Sequence, residues 1–108
     1  MEYLVPIQFS ILSLLMDDKF TSGPELRNRL ARLDVSLSVN AFYKTMARLK
    51  ASKFVIFKID TKNQDRGIPQ RLYRITPTGK EIWNTTKMLY DQACLVADDD
   101  FEFKAFET

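Results

Sequence analysis

From Leu4 to Met16 the apolar residues fall into two helical stripes: Leu4, Ile7, Ile11 and Leu14, and Val5, Phe9, Leu12 and Met16. Only Gln8, Ser10 and Ser13 interrupt them. The spacing predicts a first helix over residues 5–16, with Pro6 near its first turn, where a missing N–H costs nothing. A helix apolar almost all round must be covered on both sides. One domain of 108 residues covers one side, so a partner subunit is expected on the other. Asp17-Asp18-Lys19 reads as a turn, after which Phe20 returns to the core. Ser22-Gly23-Pro24-Glu25 has the S-x-x-E spacing of a capping box, with proline in the first turn. This second helix runs to about Leu33, with Leu26, Leu30 and Leu33 facing inward and Arg27, Arg29 and Arg32 outward.

After a short connection over residues 34–37, Ser38 has the side chain of an N-cap. Behind it Phe42, Met46 and Leu49 recur at i, i+4 and i+7, one apolar stripe of a third helix. The opposite face carries Asn40, Tyr43, Lys44, Ala47 and Arg48. Two helices joined so closely make a helix-turn-helix. Residues 54–59 are β-branched and aromatic and read as a strand whose two faces are both apolar, so the pattern does not assign its outer side. Residues 60–69 are polar, with Gly67 and Pro69 marking a turn. Residues 71–75 form the return strand, with Tyr73 and Ile75 on one face and Arg74 on the other. A hairpin directly behind such a helix is a wing. Thr76-Pro77 supplies the N-cap and first residue of a last helix. Its stripe of Ile82, Thr86, Leu89, Ala93 and Val96 is widened by Trp83, Tyr90, Cys94 and Ala97 beyond what one seam needs.

The expected fold is mainly α with a two-stranded β-wing. A winged helix-turn-helix spans residues 1–76, a C-terminal dimerisation helix 77–97, and an acidic aromatic tail 98–108. The tail, with Phe101, Phe103 and Phe106, is expected to be disordered or ordered only by packing on a partner, dispensable for folding, and a brake on polyanion binding.

Composition narrows the function. The chain is 45% hydrophobic and 28% charged, as a soluble globular domain is, and no apolar run approaches the ~18–20 residues of a membrane span. Residues 1–16 lack a basic leader and a small-residue cleavage site, so a cytoplasmic protein is expected. With no histidine and one cysteine, Cys94, the chain excludes internal disulfides, Cys/His zinc sites and imidazole triads. No cofactor, metal or enzymatic activity is expected. The net charge is +2, but residues 98–108 carry −4, whereas residues 38–75 carry nine basic residues against two acidic, a net of +7. A concentrated basic segment is the electrostatic footprint of a polyanion binder.

Two stretches resemble the PadR family of bacterial transcriptional regulators. Residues 37–55, LSVNAFYKTMARLKASKFV, follow the family pattern through Ser38, Phe42, Tyr43, Met46, Arg48 and Leu49. Residues 66–81, RGIPQRLYRITPTGKE, follow its wing and return strand through Gly67, Pro69, Arg71, Tyr73, Ile75, Thr76 and Gly79. With Ile11 to Leu15 in the first helix, the resemblance covers about residues 7–82. It departs at Lys53, where the family usually has glycine in a left-handed helix stop, so a different helix end is expected there. It departs also at Gly23-Pro24-Glu25, and the aromatic tail has no counterpart.

The resemblance implies a small member that dimerises through its first and last helices, in agreement with the surplus apolar surface. Residues and resemblance together predict a homodimeric regulator of transcription, a repressor on double-stranded DNA with an inverted-repeat operator. Ser38, Asn40, Ala41, Tyr43 and Lys44 are expected in the major groove and Arg48 on phosphate or at the groove edge. Lys62, Arg66 and Arg71 are expected on the backbone or minor groove. Val5, Phe9, Leu12, Met16, Trp83, Leu89, Tyr90 and Cys94 are expected at the dimer interface. Two other readings stay open. One is a small apolar effector bound between the aromatic residues of the dimer centre. The other is a winged helix used only for protein–protein contact, which the basic segment opposes. No membrane partner is expected.

Overall fold

The computed structural model describes residues 3–60 and 70–107, with side chains as far as residue 95. Its elements are α1 (Pro6–Leu14), β1 (Thr21–Ser22), α2 (Gly23–Arg32), α3 (Val39–Ala51), β2 (Val55–Asp60), β3 (Gln70–Ile75) and α4 (Pro77–Glu107). The helix starts are local chemistry. Ser22 Oγ accepts from the Glu25 N–H at 3.2 Å, and Ser38 Oγ from the Ala41 N–H at 3.1 Å. The Glu25 carboxylate does not close the capping box. It accepts from Arg29 Nε at 3.1 Å, one turn on. α4 continues in helical form to Glu107, through the segment expected to be a tail; the side chains of Phe101, Phe103 and Phe106 lie outside those described.

The expected wing is larger by one strand. β2 and β3 pair antiparallel with Phe57 opposite Tyr73, and β1 joins the outer edge of β3 with Thr21 opposite Tyr73, in the order β1-β3-β2. A strand of two residues has no periodicity to read, because only docking against β3 creates it. The sheet lays Val55, Tyr73 and Ile75 against Leu26, Leu30, Phe42, Met46 and Leu49 from the helix-turn-helix and Leu4, Ile11, Leu12 and Leu15 from the α1 segment. Leu33, expected inward, is 55% exposed: it is the C-cap of α2, and the chain turns away there.

Both helices of the motif stop the same way. Asp34 (φ 59°) and Lys53 (φ 66°) are left-handed. At α3 the Lys53 N–H donates to the Lys50 carbonyl and the Phe54 N–H to the Leu49 carbonyl, both at 2.9 Å, the Schellman arrangement. The residue change at Lys53 therefore does not alter the helix end. The lysine takes the left-handed conformation that glycine holds without strain. The turn then locks the start of α4. The Thr76 N–H donates to the Phe54 carbonyl at 3.0 Å, and Thr76 Oγ1 donates to the Lys53 carbonyl at 2.6 Å and accepts from the Gly79 N–H at 2.9 Å. Gly79 fits because it has no side chain: a Cβ there would lie 2.2 Å from the Phe54 carbonyl oxygen.

A second tie lies at the turn after α1. Asp18 accepts from Lys80 at 2.8 Å and from Arg74 at 3.3 Å, and these two cations hold its carboxyl below the usual carboxylate range. Its contribution to stability is present above that range and is lost as pH falls through the lowered value.

Two substitutions test the α3–α4 junction. Lys53→Gly removes left-handed strain of about 1 kcal/mol and is expected to raise Tm by several degrees. Gly79→Ala gains roughly 1 kcal/mol of helix propensity but drives a methyl group into a backbone carbonyl, an overpacking cost of about 1–3 kcal/mol, so Tm is expected to fall. Thermal melts at one fixed protein concentration check both; a Gly79→Ala protein as stable as the parent would contradict the close approach.

Candidate nucleic-acid interface

At about 100° per residue, five exposed residues of α3 (Asn40, Lys44, Ala47, Arg48 and Ala51) form one strip opposite the buried Phe42, Met46 and Leu49, with exposed Val39 and Lys50 to one side of it. The strip is narrow in side-chain bulk at Ala47 and Ala51, polar at Asn40, and cationic at Lys44 and Arg48. Ser38 and Ala41 lie at its N-terminal end, where the Ser38 hydroxyl oxygen is occupied by capping but its proton remains available to an acceptor.

The flanks differ. On one side Arg48 borders a recess shared with Tyr3, Gln8 and Ser52, toward the start of α1. On the other, Tyr43 is half-buried, its ring edge-on to Phe42 with centroids 5.0 Å apart. A Cβ on Gly23 would come within 2.8 Å of the Tyr43 hydroxyl oxygen, so the bare backbone at the start of α2 makes room for that phenol. Tyr43 thus packs on α2 and brings its hydroxyl to the edge of the strip.

The wing lies on the Tyr43 flank. Phe57 of β2 and Arg71 of β3 share its inner face, and Arg71 Cζ stands 4.9 Å from the Phe57 ring centroid. Lys50, in line with Tyr43 two turns along α3, places Nζ 4.2 Å from the same centroid. Lys50 was missed from the expected contact residues; its spacing of seven from Tyr43 was the signal that could have found it. Lys62 and Arg66, like Gly67 and Pro69, lie outside the described residues.

Lys44, Arg48, Lys50 and Arg71 form no ion pair with another described residue, whereas Asp18, Glu25 and Asp91 are paired with Arg74 and Lys80, Arg29 and Lys87. Among the described residues, the cations from α3 to the wing are thus left without acidic partners. Among the described residues no group of acidic residues and cysteine could hold a metal ion, and no helix is long and apolar enough to cross a membrane.

The residues expected at a dimer interface divide into three sets. Leu12 is fully buried within the chain and is a core residue, because α1 turns that side onto α2 and the sheet. Phe9, Trp83 and Tyr90 are half-buried against one another: Phe9 stacks on Trp83 at 5.4 Å and meets Tyr90 edge-on at 5.3 Å. Trp83 Nε1 donates to Ser13 Oγ at 2.8 Å and the Tyr90 hydroxyl to the Leu4 carbonyl at 2.9 Å, so their polar ends are engaged inside the chain. Met16 and Leu89 are half-buried, while Val5 and Cys94 are exposed.

No protein-family model matches the sequence, and no curated protein matches it. Solved structures do. A PadR-like transcription factor from Bacteroides fragilis superposes with a TM-score of 0.75 at 15% identity, covering 86% of this chain and 87% of that one. A PadR-family transcriptional regulator from Eggerthella lenta gives 0.77 at 21%, covering 89% and 81%. A Bacillus subtilis PadR solved in complex with operator DNA gives 0.62 at 21%, covering 73% of this chain and 46% of that one. Mostly helical, with a small antiparallel sheet behind its third helix, the chain has the PadR-like winged helix-turn-helix fold.

Proposed function

We propose that the chain is a DNA-binding transcriptional regulator of the PadR type, acting as a homodimeric repressor on an inverted-repeat operator. The observation that carries this reading is the strip on α3: small and polar where bases are read, cationic where phosphates run, and without acidic partners among the described residues. Asn40 reads a base edge, Ser38, Ala41 and Tyr43 line the groove, Lys44 and Arg48 meet phosphate, and Lys62, Arg66 and Arg71 hold the flanking backbone. The Bacillus subtilis neighbour bound to operator DNA supports the same use of this fold. A surface so basic does not favour a winged helix that contacts only proteins. The engaged polar ends of Trp83 and Tyr90 favour packing over an effector site at those rings.

The dimer in this reading rests on α1 and α4. From Asp91 to Leu95 every side chain of α4 is exposed, Leu95 by 64%, yet the helix continues to Glu107. Helices without tertiary packing are marginal in water, so a second copy is the natural support for this one. Exposed Val5 and Cys94 and half-buried Phe9, Met16, Trp83, Leu89 and Tyr90 form the seam. Two copies would set the α3 strips into half-sites about one DNA turn, ~34–36 Å, apart.

Fluorescence anisotropy with promoter DNA tests the first part. Lys44→Glu is expected to weaken binding to all sequences. Asn40→Ala is expected to relax sequence choice by ~1–3 kcal/mol. A Lys44→Glu protein that binds as tightly as the parent would sink the assignment. Light scattering tests the second part. Val5→Asp, at a position exposed in the single chain, is expected to shift the protein toward monomer with its helical signal kept. Leu89→Asp is expected to lose dimer, stability and operator binding together. A parent protein that is a well-folded monomer at micromolar concentration would refute the dimer.

A further inference from the structure

The Phe57 ring is approached by two cations from different elements, Lys50 Nζ at 4.2 Å from α3 and Arg71 Cζ at 4.9 Å from β3. Both line one recess of about 180 Å³ with Met46, Ala47 and Tyr73, several times the roughly 30 Å³ of a water molecule. Neither cation has an acidic partner among the described residues. Burial raises the Tyr73 phenol above its usual value, against the opposing effect of Arg71, so at neutral pH the phenol is a neutral hydroxyl. The Phe57 ring is itself braced by Tyr73, centroids 5.9 Å apart at 55°, across the β2–β3 pair.

A ring and a carboxylate hold a cation in different ways. A carboxylate neutralises it and competes with any incoming anion. An aromatic face attracts it through its quadrupole and leaves the full charge to act outward. The molecule contains both arrangements. Phe20 also carries two cations, Lys58 at 4.2 Å and Arg74 at 5.5 Å, but Arg74 is neutralised there by Asp18. That cluster is a structural brace. The Phe57 cluster keeps its charge and opens beside the α3 strip.

We propose that Phe57 is a positioning residue that holds Lys50 and Arg71 as a clamp for one phosphate of the nucleic-acid backbone, at the junction of α3 and the wing. This rests on the DNA-binding reading above and adds to it two residues, Lys50 and Phe57, and a ligand, the phosphodiester between the groove-bound helix and the wing. Ordering two long side chains before binding removes part of the entropy cost of capturing the phosphate. It also couples the angle of the wing to the recognition helix through the ligand.

The test is anisotropy of the full chain on a labelled mixed-sequence DNA duplex over a range of salt, with thermal melts to verify folding. Phe57→Leu keeps an apolar residue on the inner face and removes the ring. It is expected to weaken binding roughly two- to fivefold with the salt slope unchanged, since both cations remain. Phe57→Tyr, which keeps the ring, is expected to bind as the parent does. The double variant Lys50→Ala/Arg71→Ala is expected to reduce the salt slope by about 0.9, the value for one phosphate. Adding Phe57→Leu to that double variant is expected to cost nothing further. A slope change near 1.8 would assign the cations to separate phosphates and overturn the shared clamp. A folded Phe57→Leu protein with parental affinity, or one equally impaired without the two cations, overturns the positioning role. Either result with Lys44→Glu still defective leaves the DNA-binding reading standing; a parent protein that binds no DNA overturns both.

Discussion

Two backbone carbonyls, those of Lys53 and Phe54, fix how the parts of this molecule meet. They lie just past α3 and accept the Thr76 hydroxyl and the Thr76 N–H, while Gly79 lets the first turn of α4 pack so closely that a Cβ there would lie 2.2 Å from the Phe54 oxygen. One turn of chain therefore ends α3, starts β2, receives the end of β3 and launches α4. The left-handed Lys53 is the strained point of that arrangement, and the surrounding hydrogen bonds hold it there. Shifting this junction would change both the angle of the wing to α3 and the direction of α4. The proposed DNA contacts and the proposed dimer both depend on it.

Charge is distributed by the same economy of partners. The acidic side chains with described ion pairs sit away from α3: Asp18 joins the α1 turn to β3 and α4, Glu25 stays on α2, and Asp91 on α4. Beside the α3 strip, Lys50 and Arg71 stand over an aromatic ring, and neither has an acidic partner among the described residues. In an exposed setting the carboxylate pairs add little stability. Their larger consequence is to decide which cations stay available to a polyanion. Arg71 and Arg74, three residues apart on one strand, illustrate the division: Arg71 faces the Phe57 recess and keeps its charge, while Arg74 faces Phe20 and Asp18.

The aromatic residues shared by α1 and α4 do more inside the chain than their width first suggests. Phe9, Trp83 and Tyr90 form one aromatic cluster, Phe9 stacked on Trp83 and edge-on to Tyr90. Tyr90 and buried Thr86 hold both backbone groups of Leu4, the first by donating to the carbonyl at 2.9 Å, the second by accepting from the N–H at 3.0 Å. The N-terminal segment is thus tied to α4 by specific polar contacts as well as by packing. Among the described residues, the exposed large apolar side chains of this region are fewer than the stripes implied: Tyr3, Val5, Met88 and Leu95.

Local chemistry was legible in the sequence. The caps at Ser22, Ser38 and Thr76, the stripe of Phe42, Met46 and Leu49, and the outward strip of Asn40, Lys44 and Arg48 all follow from hydrogen bonds and periodicities that span a few residues. The order of elements, and with it the winged-helix fold, followed from those. Tertiary structure decided what depends on residues distant in sequence. It made β1 a strand by setting Thr21 against Tyr73, buried Leu12 while leaving Leu33 exposed, turned Tyr43 into a packing residue over Gly23, and brought Lys50 and Arg71 to one phenyl ring. A helical period says that a face is apolar but not which neighbour covers it, and a basic residue in the sequence does not reveal whether a carboxylate or a ring will stand beside it. Both answers come only when the chain closes on itself.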